Sequence, residues 1–224
     1  MELRLTKTII LNEGDPEQKR QEILNYYHRS VEIEEKLFEP FKDDETYYLR
    51  ADPLRHPLIF YFGHTAAFYI NKLFLAKLID KRINPRFESM FAVGVDEMSW
   101  DDLNQAHYDW PKPSEVAHYR LQVRELVGHF IQTHPLEMPI NWHHDFWVIM
   151  MGIEHSRIHL ETSSVLIRQL PLKKLNPHPF WAPCPHSHSG GPANQLLPVS
   201  GGTVTLGKNR EHPLYGWDNE YGHH

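Results

Sequence analysis

Four stretches of this chain repeat apolar residues at helical spacing, each longer than a strand needs, and that confines the fold to helices packed on helices. Asp15-Pro16-Glu17-Gln18 reads as an N-cap, a proline at the first helical position and polar first-turn residues. It opens a helix predicted over Pro16–Phe38, with Ile23, Leu24, Tyr27, Val31, Glu34 and Phe38 at helical spacing. A second helix is predicted after Pro57, through LIFYFGHTAAFYINKLFLAKLI, to about Asp80. Residues 81–112 are acidic and irregular and include the prolines of WPKP. A third helix is predicted from near Ser114, with Glu115 in its first turn, to about Thr133. The fourth runs from Asp145 to Leu170, where Pro171 stops it. Four such helices, with a long connection in the middle, describe an all-α four-helix bundle over residues 15–170.

The texture changes after Pro171. Residues 171–200 hold seven of the 17 prolines and read as an extended linker. PVSGGTVTLGK then looks like a first strand and turn. The remaining 201–224 are too few to bury a core alone, so they are expected either to pack on the bundle or to begin another domain.

Composition narrows the function classes. A hydrophobic fraction of 41% is ample for one packed core. A formal charge of −6 turns the reading away from nucleic acid and anionic membranes. No apolar run is long enough to span a bilayer, and MELRLTKTIILNEGDPEQ lacks a signal-peptide pattern. One cysteine, Cys184, allows no internal disulfide and fits a reducing compartment, so a cytoplasmic location is expected. There is no glycine-rich phosphate loop and no Ser/His/Asp signature.

The chemistry lies in the histidines, 17 in all. MGIEHSRIHLETS places His155 and His159 four apart in an apolar helix, on the face that carries Val148, Met151 and Leu166. Residues i and i+4 stand about 40° apart with Cβ atoms ~5–6 Å from each other, which suits two imidazoles on one metal ion. Ser156 stands where the zinc-protease helix needs its glutamate, so that motif is absent. Glu161 lies roughly 200° around the helix from His159 and is a poor third ligand. His64 is the better candidate, in register with Phe60, Ala67 and Phe68 and flanked by the small residues of GHTAA. Three imidazoles would accept iron, zinc, copper or nickel. The competing reading is a set of hydrogen-bonded core histidines.

Other polar residues carry weaker signals. His143 and His144 precede the fourth helix and read as solvated, and His178, His186 and His188 fall in the linker. Asp96, Glu97, Asp101 and Asp102 read as a solvated loop able to meet a substrate ammonium. Trp142 and Trp147 read as packing at the helix start.

RHPLIFYFGHTAAFYINKL, FAVGVDEMSWDDLNQAHYDWP, MGIEHSRIHLETSSVLIRQLP and GGTVTLGKNREHPLYGWDNEYG resemble the N-terminal part of the ovothiol synthases, the 5-histidylcysteine sulfoxide synthases. These are relatives of the sulfoxide synthases of ergothioneine biosynthesis. The resemblance runs from about Thr8 onward. It implies a DinB-like four-helix bundle over 15–170, a Pro-rich linker over 171–200, and a truncated start of an α+β formylglycine-generating-enzyme-like domain over 201–224. It further implies a nonheme Fe(2+) on His64, His155 and His159, with L-cysteine, L-histidine and O2 as substrates. Residues 87–119 contain no arginine, which favours free cysteine over the γ-glutamyl substrate of the ergothioneine branch. The catalytic tyrosine of such enzymes belongs to the second domain, so this chain alone is expected to be weakly active or inactive. Three alternatives stand beside this reading: a standalone DinB-type metal-dependent thiol transferase, a non-catalytic bundle completed by a partner chain, and a purely structural bundle.

Overall fold

A computed structural model describes residues 8–92, 108–182, 190–191 and 193–222. Its α-helices are α1 (Pro16–Phe38), α2 (Leu58–Leu75), α3 (Pro85–Met90), α4 (Pro113–Thr133) and α5 (Phe146–Arg168). No strand occurs among the described residues, and the fold is the all-α bundle expected from the periodicity.

Local chemistry sets the helix ends. Asp15 Oδ1 accepts the N–H groups of Glu17 and Gln18, both at 3.0 Å, which satisfies two of the orphan donors of α1. At α4 the Glu115 carboxylate reaches back to accept the Lys112 N–H at 2.8 Å. α2 stops at Leu75 rather than near Asp80. There Lys77 adopts φ 58°, its N–H donates to Phe74 O, and the Leu78 N–H donates to Leu73 O. That is a Schellman closure with lysine where glycine is usual. Leu78 and Ile79 still pack on the core, which is why the apolar pattern outruns the helix. The stretch expected to be irregular contains α3, opened by Asn84, whose side chain accepts the Phe87 N–H at 3.2 Å.

Side-chain pairings give the helix directions. Tyr27 meets Tyr69 and Phe38 meets Phe62, so α1 and α2 run oppositely. Arg20 reaches the carbonyls of Ile131 and His134 while Arg120 pairs with Glu34, so α4 also opposes α1. Tyr26 bonds Glu154 and Arg20 lies over the Phe146 ring, so α5 runs with α1. α1 and α2 each pack mainly on α4 and α5. Because α2 and α4 point the same way, the chain must cross back between them, and α3 rides on α2 within that crossover. Tyr27, Phe38, Phe60, Tyr119 and Phe146 are the large side chains at the centre.

The segment after α5 begins by retracing the end of α1. Phe41 bridges Leu175, His178 Nε2 meets Glu39 Oε2 at 2.7 Å, and Trp181 Nε1 donates to Lys36 O at 2.7 Å. Residues 193–206 then leave Leu196, Leu197, Val199, Val204 and Leu206 exposed. The strand read from PVSGGTVTLGK is a single bridge here, Lys208 to Tyr221. Residues 207–222 return to the bundle at its other end. Tyr215 is buried against Trp147 at 4.8 Å, Tyr221 meets Trp142, and the Leu11 N–H donates to Pro213 O. No helix among the described residues is long and apolar enough to cross a membrane. Asp96, Glu97, Asp101, Asp102, Cys184, His186 and His188 lie outside the described residues.

Candidate metal centre

α2 and α5 run antiparallel and in contact, and their shared face brings His64, His155 and His159 together. His64 Nε2 lies 3.2 Å from His155 Nε2 and 3.1 Å from His159 Nε2. One donor atom from each ring falls within 4.8 Å of the others. His64 and His155 are buried, and His159 is partly exposed. The spacing in α5 supplies two rings from one face, and the third comes from a helix 91 residues away in sequence from His155.

The tautomer of His64 follows from its other nitrogen. Nδ1 lies 2.6 Å from the Phe91 main-chain oxygen. A carbonyl can only accept, so Nδ1 carries the proton and Nε2 turns a lone pair toward the other two rings. Nδ1 of His155 and of His159 has no hydrogen-bond partner among the described residues.

Aromatic rings hold the imidazoles in place. Phe68 stacks on His155 with centroids 3.7 Å apart and planes 9° from parallel. Phe60 stacks on His64 at 5.0 Å, and Tyr61 approaches His159 at 6.3 Å. Lys72 lies over the Phe68 ring, its Nζ 5.1 Å from the centroid. The small residues around His64 have a packing purpose. A Cβ on Gly63 would collide with the Phe91 ring, and one on Gly152 would collide with Tyr69. These glycines let a crossover ring and a core ring approach the two helices that carry the site.

Burial keeps His155 and His159 neutral. Burial, then the His64 and His159 rings, then Lys72 hold the His155 imidazole far below its usual range. Burial and the neighbouring His64 push His159 down to about 3. The donor group contains no carboxylate. The result is a knot of imidazole nitrogens with no carboxylate among them.

That donor set fits a metal ion. Two imidazole nitrogens on one ion at ~2.1 Å stand about 3.0 Å apart at a right angle and about 3.4 Å apart at the tetrahedral angle. The separations of 3.1 and 3.2 Å fall between these limits. Three protein ligands leave further coordination positions for substrate, as in catalytic rather than structural sites. Iron, zinc, copper and nickel all accept such a set.

The other candidates fall elsewhere. Glu161 is exposed and outside the donor group. His144 is not simply solvated: its Nδ1 accepts the Phe146 N–H at 3.1 Å and helps start α5. His143 is exposed. His178 anchors the linker to Glu39. Trp142 and Trp147 stack on one another at 5.5 Å, as expected for packing at the helix start. Sequence reasoning missed the Phe91 carbonyl and the buried group of Glu34, Thr65 and Arg120 on a different face of α2. A main-chain carbonyl has no sequence signature. Glu34 stood on the apolar stripe of α1, and that misplaced charge was the available signal.

Comparison with known proteins places this geometry. The model of the DinB superfamily matches residues 27–163, more than half of the chain and a span that includes all three histidines. The chain belongs to the DinB superfamily. It is also similar to a protein of Schizosaccharomyces pombe named Ergothioneine biosynthesis protein 1, with 24% identity over 206 residues. That alignment covers 75% of this chain and 25% of the yeast protein, so the chain spans about a quarter of its relative's length.

Proposed function

We propose that this chain is the iron-holding part of a nonheme, O2-dependent 5-histidylcysteine sulfoxide synthase, acting on L-cysteine and L-histidine in the cytoplasm. The observation that carries the metal-dependent reading is the convergence of three imidazole Nε2 atoms at the α2–α5 interface. The similarity to a protein named for ergothioneine biosynthesis supports the sulfoxide synthase class. The sequence resemblance and the arginine-free 87–119 stretch favour the cysteine-using branch.

His64, His155 and His159 would hold Fe(2+), which when bound supplies redox chemistry toward O2 and a positively charged seat for a thiolate. Because all three ligands are neutral, none of the charge of the ion is cancelled by the protein, and a deprotonated cysteine sulfur is favoured there. Phe60 and Phe68 cover two of the imidazoles and restrict water on the core side. The Phe91 carbonyl keeps the His64 proton on Nδ1. In the overall reaction a C–S bond forms between the cysteine sulfur and an imidazole carbon, with loss of the S–H and C–H protons. O2 takes up four electrons; one oxygen ends on sulfur and the other leaves as water. Residues beyond the bundle, from a second domain or a partner chain, would complete the substrate pocket.

A second reading, a DinB-type metal-dependent thiol transferase, is favoured by one observation: the family match is satisfied by the bundle alone. The test begins with anaerobic purification and measurement of bound iron and zinc in the wild type and in His64→Ala. Near-stoichiometric metal in the wild type and loss in the variant are expected. A metal-free wild type, or equal metal in both, overturns the reading. Loading with Fe(2+) or Zn(2+), followed by thiol consumption with and without L-histidine and O2, separates the two chemistries.

A further inference from the structure

We infer that Glu88 is a positioning residue for the metal centre, acting through α3 and the Phe91 carbonyl; this rests on the metal-binding reading above. Glu88 is 1% exposed, though it is a carboxylate in a short crossover helix. Its Oε1 accepts the N–H groups of Ile83 at 2.9 Å and Asn84 at 2.8 Å. Those two donors belong to the turn that opens α3, so the side chain folds back and closes the helix onto its own entry. Two other ties run to the bundle and one to the loop before α3. Asn71 Nδ2 on α2 donates to Glu88 O at 2.9 Å, the Tyr119 hydroxyl of α4 lies 3.5 Å from Oε1, and Arg82 Nε stands 3.9 Å from Oε2.

This clamp fixes the far end of α3. The Phe91 N–H donates to Phe87 O at 2.8 Å, and the Phe91 ring is fully buried, seated on Gly63 with no room for a Cβ. With both its helix and its ring pinned, Phe91 has one place to put its carbonyl: 2.6 Å from His64 Nδ1. A histidine ligand is oriented, and made more basic, by the acceptor on its second nitrogen. His155 and His159 have no such acceptor among the described residues, so the ring held by Phe91 sets the geometry that the other two join. The crossover is therefore a gauge for the site as well as a return path for the chain.

The probe is Co(2+) alone, titrated into the purified chain and followed by its visible d–d bands. Glu88→Ala and Gly63→Ala loosen the clamp and displace the Phe91 ring, respectively. Each is expected to weaken Co(2+) binding about 10–100-fold and to alter the band pattern, as loss of an outer-shell partner does. Glu34→Gln is the control, a buried carboxylate on a different face of α2; it should lower thermal stability and leave affinity and spectrum unchanged. Folded Glu88→Ala and Gly63→Ala that bind within about twofold of wild type, with the same spectrum, overturn the inference. If Glu88→Ala does not fold, Gly63→Ala decides. A wild type that binds no Co(2+), iron or zinc instead overturns the metal-binding reading itself.

Discussion

Two polar clusters sit on different faces of α2, built from successive residues about 100° apart around one helix. Thr65 points between α1 and α4, where its hydroxyl donates to Glu34 and Arg120 Nη1 bonds Glu34, Thr65 and the Phe62 carbonyl. His64 points at α5, where two more imidazoles meet it. Both clusters are mostly buried, with only His159 partly exposed, yet their chemistry differs. The first has a carboxylate and a guanidinium, so its charges balance within the protein. The second is three imidazoles with their Nε2 atoms turned together, and the donor group contains no carboxylate and no guanidinium. A buried polar group must be satisfied by something. Where opposite charges complete the set, the cluster is satisfied within the protein; a set of three converging imidazoles could instead take an added cation.

The largest effect should come from deleting a ring. His155→Ala is expected to drop bound metal from about one equivalent to background while the metal-free protein keeps its helicity, because the change removes a buried lone pair, not a charge partner. Metal analysis beside circular dichroism checks both halves. Retained metal would mean that the two clusters are of the same structural kind.

The opposite pattern is expected across α2. Arg120→Met strands the Glu34 carboxylate in the core and should cost about 3–5 kcal/mol in denaturant unfolding, with metal affinity unchanged. Adding Glu34→Met should restore much of the loss, since an ion pair replaced by apolar groups of similar size is often neutral. No recovery in the double variant would show that the pair contributes more than mutual satisfaction.

Two smaller changes sharpen the separation of stability from site. Tyr215→Ala removes a buried ring from the end of the bundle and should cost about 2–4 kcal/mol, again with metal content intact. A loss of metal here would tie the returning C-terminal segment to the α5 site. Asp15→Ala removes the cap of α1 and should cost about 1 kcal/mol, visible as a small shift in the urea midpoint and in nothing else.

The comparison also shows what could be read in advance. α1 was legible to the residue because Asp15 and Pro16 are local signals that act within one turn. α2 was legible in its body and not at its end, because Leu78 and Ile79 keep the apolar period after Lys77 has broken the helix. α3 went unread: six residues carry too little periodicity, and its support is a buried glutamate. His155 and His159 share a face by helix geometry alone. Glu34 was visible as a charge on an apolar stripe, but its partner Arg120 lies 86 residues away and no local pattern joins them.

By itself, then, the sequence determined the four long helices, most of their ends, the inward faces and the pairing of His155 with His159, because each depends on residues within one or two turns. Tertiary structure alone decided that α2 presents His64 to α5 and Thr65 to Glu34 and Arg120. It also decided that the Phe91 carbonyl, with no side-chain identity to read, sets the His64 tautomer. Those contacts join segments tens of residues apart, and their partners are chosen by the packing of whole helices rather than by any spacing along the chain.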